Sequence, residues 1–99
     1  MVLKYLMRQI EDNIRYGGQK MSAQDMLVER IDNLCKERNM SYYTLSYNST
    51  VPLTTLMHIM NKSTLNPGII TISKICDGFG ITMKEFFDSS EFDGLRDIE

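Results

Sequence analysis

A chain of 99 residues, 42% apolar and 24% charged, has room for one small core and not for a second domain. Its net charge of −2 conceals an uneven distribution: residues 1–20 carry four basic and two acidic groups, residues 21–87 six of each, and residues 88–99 one basic and five acidic. Such a near-neutral body with an acidic end excludes the strongly basic class of polyanion binders. No apolar run approaches the roughly 18 residues of a membrane span. Lys4, Arg8, Glu11, Asp12 and Arg15 interrupt the first twenty residues, which therefore lack a secretory apolar region, and a cytosolic protein is expected. Cys35 and Cys76 are too few and too far apart for a disulfide framework or a CxxC metal site, and both fall among apolar residues at helical spacing, as core thiols do.

In chain order, Val2, Leu3, Leu6, Ile10 and Ile14 recur about every four residues, which predicts an amphipathic helix over residues 1–16 that stops at Gly17-Gly18. Ser22-Ala-Gln-Asp25 is a capping-box pattern that opens a second helix. Its apolar stripe is Leu27, Ile31, Leu34 and Cys35, and it ends near Asn39, a residue that tolerates a left-handed cap. Ser41 caps a short third helix reaching Leu45 to Tyr47, broken at Asn48-Ser49-Thr50. Pro52 suits the first turn of a fourth helix, where its missing N–H costs nothing. That helix buries Val51, Leu56 and Ile59 and runs out at Asn61. After an Asn66-Pro67-Gly68 loop, a fifth helix turns Ile69, Ile72, Ile75, Cys76 and Phe79 inward and ends at Gly80. Thr82-Met-Lys-Glu85 is a second capping box, opening a last helix that buries Phe86 and Phe87; from Asp88 a loose acidic tail is expected. No segment alternates with period two, so the fold class is all-α.

Two short helices meeting in a tight turn at 48–51, inside a bundle of small helices, outline a helix-turn-helix. The stretch LSYNSTVPLTTLMHIMN (45–61), the Asn66-Pro67 approach to the next helix, and TISKICDGFGITMKEFF (71–87) together resemble the Cro/cI-type helix-turn-helix domain of phage repressors and their bacterial relatives. The resemblance covers residues 25–87. It implies a five-helix lambda-repressor-like domain over residues 21–88, preceded here by a helical arm (1–20) suited to dimerisation and followed by the acidic tail (89–99). It implies double-stranded DNA as partner, with Pro52 to Met60 as the recognition helix in the major groove and Ser41 to Tyr47 crossing the backbone. By position Leu53, Thr54 and His58 match base-reading sites of that family, and Tyr42, Asn61 and Lys62 match sites that touch phosphate; Met57 is divided between groove contact and partial burial. A Thr hydroxyl can bond a base edge while its methyl, like Leu53, meets a thymine methyl. The Tyr42 hydroxyl and Asn61 amide can each bond a phosphate oxygen.

The departures are equally specific. Thr50 stands where the family commonly has Gly, so the turn is either shifted onto Asn48 or carries strain at a β-branched residue. Lys62 replaces a frequent Gly, and Leu65 a frequent basic residue. Cys35 and Met60 occupy positions where many relatives hold a buried Arg–Glu pair; losing both ends together leaves no orphan charge. His58 has a plain alternative as a surface residue, and Tyr42, Tyr43 and Tyr47 as core or rim aromatics. One His, no carboxylate pair on a common face, no phosphate-cradling glycine loop and no metal-ligand spacing leave no catalytic constellation, so neither an enzyme nor a cofactor is expected. The function expected is a sequence-specific DNA-binding regulator, a homodimeric repressor; the alternative is an antitoxin-like interaction module on the same fold, which the scarcity of positive charge favours.

Overall fold

The computed structural model describes residues 21–93. The expected arm helix over 1–16, with its stripe, and the end of the acidic tail lie outside the described residues. Within them are five helices, α1 (Ala23–Glu37), α2 (Tyr42–Ser49), α3 (Leu53–Met60), α4 (Ile69–Phe79) and α5 (Met83–Phe87), then one turn of 3-10 helix at Ser90–Phe92 and no strand.

Local chemistry sets most of the boundaries. At the start of α1 the Asp25 N–H donates to Ser22 Oγ at 3.1 Å, and the Ser22 N–H returns a bond to Asp25 Oδ2 at 3.0 Å. This capping box satisfies two of the donors that every helix start leaves open. The far end of α1 closes with Asn39 in the left-handed region at φ 52°. Its N–H reaches the Lys36 carbonyl at 3.2 Å, while the Met40 N–H reaches Cys35 at 2.8 Å, the paired bonds of a Schellman ending. Thr82 and Glu85 repeat the capping box at α5, and Gly80, at φ 71°, ends α4.

At the turn between α2 and α3 the sequence left two options, and the second holds. The third predicted helix runs on through Asn48 to Ser49, and Thr50 itself takes φ 62°, ψ 16°. Pro52, at φ −54° and ψ 142°, caps α3 from outside instead of occupying its first turn. No side chain caps α3, but the turn is tied to α2 by two hydroxyls. Ser46 Oγ donates to the Val51 carbonyl at 2.6 Å, and the Val51 N–H donates to Ser49 Oγ at 3.2 Å.

The core joins Leu27, Ile31, Leu34 and Cys35 of α1 to Leu45, Val51, Leu56, Ile59, Ile72, Ile75, Cys76, Phe79 and Phe86, with Met60 packed half-buried at its edge. Helix α2 lies so close to α4 that a Cβ on Gly78 would sit 2.8 Å from Ser49 Cβ. Three expectations are corrected. Ile69 is 59% exposed, like its neighbour Ile70, so among the described residues the first turn of α4 is not packed into the core. Phe87 is exposed, at 39%, resting edge-on to Phe86 with ring centroids 5.0 Å apart. The acidic stretch is not loose at its start: Glu91 is 5% exposed, accepting from Asn33 Nδ2 at 2.8 Å and from the Ser89 hydroxyl, while Phe92 packs against the core. Burial raises the Glu91 carboxyl, but the Asn33 and Ser89 bonds outweigh it and hold the group below its ordinary value.

Candidate nucleic-acid interface

Helix α3 presents two faces at the period its apolar residues dictate. Leu56 and Ile59, 0% and 1% exposed, anchor it, with Val51 at 3% fixing the approach of the chain. What remains outside is the pair of i,i+4 rows Leu53–Met57 and Thr54–His58. Leu53, Thr54 and His58 are exposed and Met57 is half-buried, so these four predicted residues share one outward surface. It carries no Lys, Arg, Asp or Glu, and it offers hydroxyl, imidazole and methyl groups, the chemistry that base edges in a groove accept.

Asn61 follows at the C-terminal end of α3, exposed, its side-chain oxygen accepting from the Ser63 N–H at 2.9 Å and the Ser63 hydroxyl at 2.5 Å. That leaves the amide N–H₂ as the group able to donate to phosphate. Lys62 is exposed and in the left-handed region at φ 62°, its ammonium paired with the Asp25 carboxylate. Burial pushes Asp25 up, but the Lys62 ammonium and the Ser22 N–H and hydroxyl together hold it below its ordinary value.

Tyr42 is placed differently from the rest. Its hydroxyl is turned toward α1 and donates to Asp32 Oδ1 at 2.5 Å. Asp32 in turn meets the Lys36 ammonium at 2.8 Å. Burial first, then the Asp32 bond, raises the Tyr42 phenol well above its usual range, and the Lys36 and Tyr42 bonds lower Asp32. The phenolic proton that a phosphate would need is therefore engaged within the domain. Tyr43 and Tyr47, one helical turn apart on α2, are 69% and 79% exposed.

Residues with no local sequence signal hold this arrangement together. Gln24, near the start of α1, donates from Nε2 to the Ile59 carbonyl at 3.2 Å and the Thr64 carbonyl at 3.4 Å. Its Oε1 accepts from the Asn66 N–H at 3.2 Å, so one neutral side chain clamps the end of α3 and the loop behind it. Arg30 donates to the carbonyls of Phe86 at 2.7 Å and Glu85 at 3.0 Å, and its guanidinium lies 5.8 Å above the Phe86 ring. Arg38 does the same for α4, donating to the Phe79 carbonyl over that residue's ring. Both satisfy open carbonyls at helix C-termini, where the macrodipole also favours a cation. They are long-range contacts across 41 to 56 residues, invisible to periodicity.

The two cysteines are core thiols: burial, with the Asp32 charge, pushes Cys35 up to about 11, and burial raises Cys76 as well. Among the described residues no helix is long and apolar enough to cross a membrane. The family profile of the Cro/C1-type HTH DNA-binding domain matches residues 30–90, which takes in the end of α1, all of α2 to α5 and the start of the 3-10 turn. No curated protein and no solved structure matches the chain.

Proposed function

The chain belongs to the Cro/C1-type helix-turn-helix DNA-binding family, and we propose that it is a homodimeric, sequence-specific transcriptional repressor of the phage or mobile-element type, acting in the cytoplasm. The observation that carries this reading is the outward face of α3, where Leu53, Thr54, Met57 and His58 stand together on a helix whose opposite side is locked into the core. Two such helices, about one turn of B-DNA apart in a dimer, would enter successive major grooves of a pseudo-palindromic site and block polymerase. Thr54 and His58 read base edges, Leu53 and Met57 supply apolar contact to thymine methyls, and Asn61 and Lys62 meet phosphate. Tyr42 contributes through its packing and its bond to Asp32, which steadies α2 against α1.

The interaction-module alternative draws on one specific finding: Arg30 and Arg38 are engaged by carbonyls, and Lys36 and Lys62 by carboxylates. Phosphate neutralisation supplies much of any DNA affinity, so this surface starts with little of it. Binding of wild type and three variants to a selected site and to scrambled DNA, at two salt concentrations, separates the readings. Thr54→Ala and His58→Ala each cost about 1–3 kcal/mol on the selected site and little on scrambled DNA. Lys62→Ala weakens both DNAs alike and lowers the salt slope by about 1, as its ammonium turns from Asp25 to phosphate. Wild type binding neither DNA would hand the function to the interaction module.

A further inference from the structure

On the domain surface, the start of α1, the loop after α3, the start of α4 and the end of α5 enclose a groove of about 410 Å³. Its walls are apolar: Leu27, Leu65, Pro67, Ile72, Phe87 and Phe92. Leu65 is 70% exposed and Phe87 39%, so the groove stands open with large side chains facing water. An open apolar groove between helices is the kind of surface on which an amphipathic helix can lay its apolar face.

We propose that the N-terminal segment of the same chain, residues 1–16, lies in this groove through Leu6, Ile10 and Ile14. The first reason is where that segment joins the domain. Ser22 and Ala23 themselves line the groove, and Met21, just before them, is 3% exposed. The segment is thus tethered at the groove's edge, at the high effective concentration that a short linker confers. Residues 17–21, with Gly17-Gly18 among them, can span up to about 17 Å at about 3.3 Å each, enough for the preceding segment to fold back. The second reason is complementarity of shape and polarity. The segment carries a single apolar stripe at helical spacing, on a helix that would be about 24 Å long at 1.5 Å per residue.

The proposal is independent of DNA binding, and its test contains no DNA. In the full-length chain, Gln9→Cys places a thiol off the apolar stripe, where a nitroxide can be attached while the buried Cys35 and Cys76 stay unreacted. Paramagnetic loss of amide signals is then read at Leu65, Phe87 and Phe92, against the reduced label. The expected result is strong loss when label and isotope are on one chain, and none in a mixture that puts them on different chains. Adding Ile10→Asp to the labelled chain should restore the signals. Loss that appears in the mixture as well would assign the groove to the arm of a second copy and overturn the proposal. So would loss in neither sample, or loss that survives Ile10→Asp.

Discussion

Thr50 offers the sharpest test of how this fold makes its turn. Its backbone sits at φ 62°, ψ 16°, its side chain is exposed, and a β-branched residue is among the least suited to that conformation. The left-handed region costs an L-residue roughly 1–2 kcal/mol. Glycine removes that cost but gives the unfolded chain more freedom, a loss of about 0.4–1 kcal/mol. Thr50→Gly should therefore stabilise the domain by about 1 kcal/mol, the upper part of the range reflecting the β-branch. For a domain of this size that corresponds to a rise of about 4–8 °C in Tm. Thr50→Asn should also stabilise, since Asn tolerates positive φ without glycine's added backbone freedom. Thermal melts followed by circular dichroism, with denaturant midpoints as a second measure, read both variants. A fall in Tm for both would refute the reasoning and mean that the threonine makes a native interaction worth more than the strain.

Gly78→Ala should destabilise by about 1–3 kcal/mol, because its Cβ would meet Ser49 Cβ at 2.8 Å and the Ser49 backbone nitrogen at 3.0 Å, while alanine's better helix propensity returns at most about 1 kcal/mol; an unchanged urea midpoint would contradict the close approach of α2 and α4. Asp25 and Asp32 are both held below the ordinary carboxylate value of about 3.9, so their stabilisation is present above that pH and is lost as pH falls through their lower folded values. Asp25→Asn and Asp32→Asn should flatten the loss of stability below about pH 4 in acid titrations, and acid limbs identical to wild type would sink the assignment.

What could be read in advance follows from how far each interaction reaches along the chain. Both capping boxes, the left-handed Asn39 and Gly80 endings, and the stripe of α1 are local patterns, and each formed as its spacing implied. Ile69 was misread because periodicity reports which residues share a face, not whether a neighbour covers it. Phe87 failed for a related reason: α5 has a single buried aromatic position, and Phe86 fills it. Glu91 ran against the rule that acidic ends are solvated, because Asn33, 58 residues away, supplies its hydrogen bond. In the candidate interface the outward face of α3 was legible, since fixing Leu56 and Ile59 inside leaves Thr54 and His58 outside by geometry alone. The engagement of Tyr42 by Asp32 and the clamp by Gln24 were not, as neither pair shares an element.

The supports of α3 differ in kind from the group that could bind phosphate beside it. Val51, Leu56 and Ile59 hold the helix by burial, Ser46 and Ser49 hold its leading turn, and Gln24 holds its trailing end. Every one of these is uncharged, so the orientation of Thr54 and His58 is insensitive to ionic strength. Lys62, by contrast, is paired with Asp25, and any phosphate contact it makes has to displace an attraction already present. An exposed ion pair of this sort contributes only a fraction of a kcal/mol up to about 1 kcal/mol, so the displacement is feasible but takes away part of the gain. On the proposed function, selectivity then resides in a firmly held face without lysine or arginine, and raw affinity is low for each domain. Doubling the contacts in a dimer raises affinity without adding charge to either face. A dimer that reads both half-sites should accordingly discriminate between sites by about twice the monomer's free-energy difference, and bind each of them far more tightly.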